Sequence, residues 1–238
     1  MPTQDFIIEL FCRVDDVMGH ESKHVQAKLY PSELVTIGML RSIKGGSDRA
    51  FYRWLVRDYS NLFPLLPERS RLFRLFQVHE QLANYFLADA TLLAVVDSYG
   101  IELIHPNRER HSESRFAQKG LSNHRWIIGG KYCFILNQFG RIVNWTAASA
   151  NVSDTSFQSF LHEFDAEMII LADNGFHARQ GDPANLLICK RGSWNCRMLV
   201  ETVLSMLSNV CHIKKMGHRF WAYFEARLAF MSAAYGVE

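Results

Sequence analysis

The sequence is poor in the features that would make a membrane, secreted or disulfide-built protein. Its 238 residues contain no uninterrupted apolar run of 18 or more, which leaves no segment fit to cross a bilayer as a helix. Asp5 and Glu9 stand near the N-terminus, where a secretory signal would carry positive charge. Cysteine is scarce and scattered: Cys12, Cys133, Cys189, Cys196 and Cys211 are odd in number and form no CxxC pair. Neither a disulfide framework nor a zinc site follows from them. A soluble, reducing, intracellular setting is the expectation. Charge of one sign is lacking too. Twenty-six Lys and Arg face 24 Asp and Glu, with a pI of about 8.3, so nucleic-acid binding has to be argued from local clusters. No GxxxxGK[ST] loop and no Gly-x-Ser-x-Gly elbow occurs, which removes support for ATP-driven and elbow-serine chemistry.

What the chain does have is 48% hydrophobic residues, ample for a core. Up to about residue 88 the apolar spacing is helical, broken at Pro31, Gly45-Gly46, Pro64 and Pro67. One helix is predicted after Pro31, capped by Ser32 and running to Ile43 before the two glycines. A second is predicted from Ser47 to Tyr59, and a third after Pro67. From Asp89 the pattern changes. Leu92 to Val96 predicts a buried strand, and a polar stretch from His105 to His124 predicts a long loop. Trp126 to Leu136 and Arg141 to Trp145 predict a hairpin turned at Asn137 to Gly140. Further on come a helix from Asp154 to Phe164, strands at Met168 to Ala172 and Leu186 to Cys189, and helices at Met198 to Ser208 and Phe220 to Tyr235. This order predicts an α/β fold, a ribonuclease H-like mixed sheet flanked by helices. The expected domains are a small helical DNA-binding lead-in over 1–88 and a catalytic domain over 89–238.

Three acidic residues carry the chemistry. Asp97 closes the first apolar strand, Asp173 closes Ile169 to Ala172, and Glu201 lies in the amphipathic pattern that follows. Two aspartates at strand tips and a helical glutamate are hard oxygen ligands of the kind Mg²⁺ takes near phosphates. Two such ions roughly 3.5–4 Å apart serve in-line phosphodiester displacement. Asp97, Asp173 and Glu201 are therefore the candidate catalytic and metal-binding set, and a nucleic-acid cutting or joining enzyme is the expected class.

The residues around the three carboxylates resemble those of bacterial insertion-sequence transposases of the DDE class, over nearly the whole chain. The likeness is carried by Asp97-Ser98-Tyr99-Gly100, by the stretch from Lys119 through His124 and Arg125 to Trp126, by Ala172 to Phe176, and by Trp194, Arg197 and Glu201. Tyr30 to Leu34 and Phe51 to Leu55 look like that family's helical lead-in. The resemblance implies a DNA transposase that uses two Mg²⁺ or Mn²⁺ ions for strand cleavage and strand transfer. Its implied partners are double-stranded DNA with terminal inverted repeats and target DNA, engaged by a homodimer in the bacterial cytoplasm. Arg197, Trp194, Lys119, His124, Arg125, Arg49 and Arg53 are the implied DNA contacts.

The chain departs from the family pattern in two places. Trp194, Arg197 and Glu201 keep the spacing of the family's glutamate motif, but tryptophan stands for its tyrosine and Ser208 for its lysine. Asn174 stands where a basic residue is often found. Both changes remove positive charge near the DNA end, which keeps open a catalytically impaired, transposase-derived DNA-binding protein, beside a metal-dependent nuclease acting outside transposition. Ordinary roles compete at individual positions as well. Asp97 and Asp173 each suit a turn cap, Arg197 suits an i, i+4 pair with Glu201, and Trp194 suits either burial or stacking on an unpaired base. The stretch from Arg41 to Arg74 holds eight basic residues against three acidic ones, fit for DNA phosphates or for a solvated helix face.

Overall fold

Apolar residues that recur on every side of a helix need neighbours on every side, and two helices of this chain have that character. The computed structural model describes residues 1–105, 118–122, 125–189 and 196–237, without the side chains of 196, 197 and 215. It divides the chain into two compact units, one helical and one built on a sheet.

The helical unit comprises Met1–Phe86, Val210–Lys215 and Phe220–Glu238. Its centre is α2 (Pro31–Lys44), buried from Ser32 through Ser42 except at Glu33, which packs on α1 (Thr3–Met18) and on α7 (Trp221–Gly236). α3 (Asp48–Tyr59) and α4 (Arg69–Val78) complete it. A Cβ on Gly38 would stand 2.5 Å from the Phe230 ring, so glycine sets how closely α2 and α7 approach. α2 begins at Pro31, and its entry is closed by Glu33, whose carboxylate accepts the Tyr30 N–H at 2.7 Å. Ser32, the expected cap, is instead buried inside the first turn. Gly45 and Gly46 take φ of +66° and +79° and end the helix. Ser47 then caps α3 by accepting from the Ala50 N–H at 3.2 Å.

The C-terminal helix corrects the expected partition at 88/89. α7 was assigned with the catalytic domain, but its buried run from Ala226 to Ala233 needs the apolar faces of α2 and α4, and it joins the helical unit. α1, absent from the sequence reading, has a four-residue apolar stripe, Ile7, Leu10, Val14 and Met18, interspersed with enough charge to look like surface.

The second unit comprises Leu87–Asn209 and Met216–Arg219. Its strands are β1 (Leu93–Ile104), β2 (Gln118–Ser122), β3 (Arg125–Asn137), β4 (Ile142–Ser149), β5 (Ile169–Ala172) and β6 (Leu186–Ile188). They form one mixed sheet in the order β2-β3-β1-β5-β6, with β4 also on β3. β1 is antiparallel to β3 and parallel to β5, and β6 is parallel to β5. Long β3 carries β2 along its first residues and β4 along the rest of the same edge. β2 falls inside the stretch expected to be a loop; residues 106–117 of that stretch lie outside the described residues.

The sheet is covered on both faces. Ala94, Val96, Cys133, Ile135, Ile170 and Ala172 form one core with Phe157 and Leu161, which belong to the segment 154–164. That segment was predicted as one helix, but it holds only one α-turn, α5 (Gln158–Leu161), between 3-10 turns. On the other face α6 (Cys196–Asn209) packs on β1. It also covers the β3–β4 turn, where Gly140 takes φ of +78° and a Cβ would meet Leu199 at 2.8 Å. Asn137 builds this turn, its Oδ1 accepting from the N–H groups of Phe139 and Arg141, both at 3.0 Å.

Candidate functional site: the carboxylate end of the parallel strands

The parallel register decides where the two aspartates stand. β1 and β5 pair Leu93 with Ile169, Ala94 with Ile170 and Val95 with Leu171. The ladder ends there; one further pleat at the same offset would bring Asp97 level with Asp173. Adjacent strands lie about 4.8 Å apart, and residues of equal parity share a face. Asp173 keeps extended backbone, φ −80° and ψ 175°, so the pattern continues to it.

Asp97 does not end its strand as expected. β1 runs on to Ile104 because its pairing with β3 continues beyond the residues that face β5. Asp97 is opposite Phe134 and half-buried, at the point where the parallel neighbour stops. Its Oδ1 accepts the Ser98 N–H at 2.7 Å. Asp173 is exposed; its Oδ1 accepts the Gly175 N–H at 2.9 Å and caps the 3-10 turn Asn174–Phe176. The turn-capping role open to Asp173 is thus filled by one oxygen of its carboxylate. Asn174 is exposed in that turn.

A fourth carboxylate, unforeseen in the sequence, stands at the same end. Asp154 Oδ1 accepts from Ser98 Oγ at 2.5 Å and from Lys131 Nζ at 3.0 Å, and Lys131 also donates to the Val152 carbonyl at 2.7 Å. A Cβ built on Gly175 would lie 3.0 Å from Asp154 Oδ2 and 3.0 Å from Asp173 Oδ1, so both oxygens border the space that glycine leaves open. Cys133, across the ladder from Ser98, has its thiol pushed well up by burial, with the negative charges of Asp154 and Asp97 adding to the effect. The one sequence signal for Asp154 was its place at the head of a predicted helix, where an aspartate has an ordinary capping use.

Glu201 sits on α6 next to buried Val200 and two residues before buried Val203, but its own side chain is exposed. Helical geometry turns residue 201 about 100° away from residue 200, off the apolar stripe. Among the described residues, no group of three His, Cys, Asp or Glu side chains stands in position to hold a metal ion. The register of β1 and β5 directs Asp97 and Asp173 to the same end of the sheet, Asp154 stands near Asp173, and Glu201 lies on the helix that packs against β1. Two turns on from Glu201, the Ser208 hydroxyl is buried without a hydrogen-bond partner. Lys214 lies past the end of α6 and in the helical unit, as does Lys215.

The expected DNA contacts divide three ways. Trp194 and His124 lie outside the described residues, and so does the side chain of Arg197. Lys119 and Arg125 flank an exposed hairpin: Lys119 Nζ lies 5.3 Å from the centroid of the Trp126 ring, itself 57% exposed, and Arg125 pairs with Glu102 at 2.6 Å. Arg49 and Arg53 are exposed one turn apart on α3. The basic stretch around them is smaller than its composition suggests. Arg41 is buried and paired with Asp48 at 2.5 Å, Arg57 is paired with Asp58 at 2.6 Å, and Lys44 lies over the Trp54 ring. Arg69, Arg71 and Arg74 are exposed beside Arg49 and Arg53 in that count.

Cys12, Cys133, Cys189 and Cys211 are free thiols. Among the described residues no helix is long and apolar enough to cross a membrane. No protein-family model matches the chain, and no curated protein matches it.

Proposed function

We propose that this chain is a DDE transposase whose ribonuclease H-like unit cleaves and joins DNA at insertion-sequence ends. The observation that supports the reading is the parallel register of β1 and β5, which directs two aspartates far apart in sequence to the same end of adjacent strands. The strand order supports the fold reading: three antiparallel strands, β4-β3-β1, continue into parallel β5 and β6, and α6 packs against the central strand.

The donor set fits Mg²⁺ or Mn²⁺. Oxygen from adjacent carboxylates is the ligand chemistry of hard divalent cations, and two such carboxylates side by side repel unless positive charge lies between them. Asp97 and Asp173 would hold the ions, with Glu201 from α6 as the third ligand. Bound there, two divalent ions supply activation of an attacking oxygen and stabilisation of the leaving one. The chain's own part is to fix the geometry. β1 and β5 hold their aspartates on packed strands, and Gly175 leaves room for carboxylate oxygens to converge. Arg49 and Arg53 on α3 and Lys119 with Trp126 on the hairpin offer cations to phosphates and an aromatic face to a base. Because two element ends must be joined, a homodimer on DNA is the working assembly, with the inverted-repeat duplex and target DNA as partners.

The test is incubation of the purified chain with labelled duplexes bearing its flanking inverted repeats, Mg²⁺ or Mn²⁺, and an Asp97→Ala control. Metal-dependent cutting and joining at the repeat end, lost in the control, is expected. Binding without cutting would replace the proposal with a transposase-derived DNA-binding protein. Cutting without joining would replace it with a nuclease.

A further inference from the structure

The β1–β5 ladder stops at Val95 and Leu171, one pleat short of the two aspartates, so backbone pairing alone does not fix their separation. Asp154 touches β1 beyond that point and stands near Asp173. Through Oδ1 it accepts from Ser98 Oγ, on the residue next to Asp97. Its Oδ2 borders the opening at Gly175 that Asp173 Oδ1 borders from the other side. Lys131, on β3 and only 8% exposed, donates to Asp154 at 3.0 Å and to the Val152 carbonyl at 2.7 Å, which ties the Asp154 loop to the sheet at two points.

We propose that Lys131 and Asp154 form a clamp that sets the spacing of Asp97 and Asp173, with Asp154 as a positioning residue for the cation site. The inference rests on the metal-dependent reading above. A half-buried ion pair adds little to folding once its desolvation is counted. Its value here is geometric: Lys131 offsets the charge of Asp154, allowing a third carboxylate to stand against Asp173, and Ser98 transmits the position of Asp154 to β1. Groups that orient metal ligands typically change metal affinity by roughly 10- to 100-fold when removed.

The test is Mn²⁺ titration of the full chain, followed by the electron paramagnetic resonance signal of the free ion. The wild type is expected to bind Mn²⁺ and Asp97→Ala to lose binding. Asp154→Asn and Lys131→Met should each raise the Kd roughly 10- to 100-fold, with the double variant no worse than either and Lys131→Arg restoring most of the affinity. Wild-type affinity in Asp154→Asn and Lys131→Met, with binding still lost in Asp97→Ala, would overturn the clamp and leave the proposed function standing. Complete loss in Asp154→Asn, matching Asp97→Ala, would make Asp154 a ligand and also overturn the clamp. A wild type that binds no Mn²⁺ would remove both proposals. Should the Lys131 and Asp154 variants fail to fold, Gly175→Ala decides, since it keeps every charge and presses on the two carboxylate oxygens alone. Weakened binding there supports the clamp, and unchanged binding overturns it.

Discussion

Both units bury charge, and they dispose of it differently. In the helical unit, buried Arg227 donates to the carbonyls of Arg41 and Ser42 at the end of α2, and buried Arg41 pairs with Asp48. The hydroxyls of Thr36, Ser42 and Ser232 donate to carbonyls one turn back in their own helices. These groups close helix ends, with one Arg41 nitrogen, Nη1, left buried without a partner. In the sheet unit, buried Lys131 pairs with Asp154, and Asp154 stands near Asp173 at the end of the parallel strands. The carboxylates of the second set are what the proposed function would use.

The contrast predicts that substitutions in the first unit cost stability and those in the second cost chemistry. Gly38→Val should be the most damaging to folding, at about 3 kcal/mol, because its side chain would enter the Phe230 ring. Chemical denaturation measures it, and a cost near zero would mean that α2 and α7 are loosely packed. On the surface of the same unit, replacing Arg49 and Arg53 together by Gln should weaken DNA binding about tenfold. It should also flatten the dependence of log affinity on log salt by about 2, at roughly 0.9 per lost phosphate contact, with the melting temperature unchanged.

A pH effect follows from Glu80, whose carboxyl is raised to about 6 by desolvation and by the nearby Glu225. The folded state then binds a proton more tightly than the unfolded chain does. Stability from this group is full below about 4.5 and declines as pH rises to about 6. Glu80→Gln should remove that decline and raise the melting temperature at pH 7. An unaltered pH profile in the variant would contradict this account of Glu80.

The sequence reading located the elements better than the assembly. The hairpin at Asn137 to Gly140 and helices α2, α3 and α6 follow from local rules, namely a turn glycine, caps and apolar period. The membership of α7 in the helical unit could not be read along the chain, because it depends on which distant face its apolar surface covers. Asp97 and Asp173 draw attention in the sequence because both follow apolar runs. Asp154 does not. Its significance comes from Lys131 and Ser98, which reach it from two other strands, and an aspartate at a helix start has an everyday explanation. Glu201 is exposed although apolar residues adjoin it in sequence, because neighbours in sequence are not neighbours around a helix.

The central claim is that Asp97 and Asp173 act as one unit. It is tested most directly by comparing metal-dependent strand cleavage in Asp97→Asn, Asp173→Asn and the double variant. Each single change should lower the rate by at least about a thousandfold, or roughly 4 kcal/mol, while the double variant is no slower than either, as for residues sharing one function. Losses that multiply in the double variant, or a single variant that keeps wild-type cleavage, would contradict a shared site.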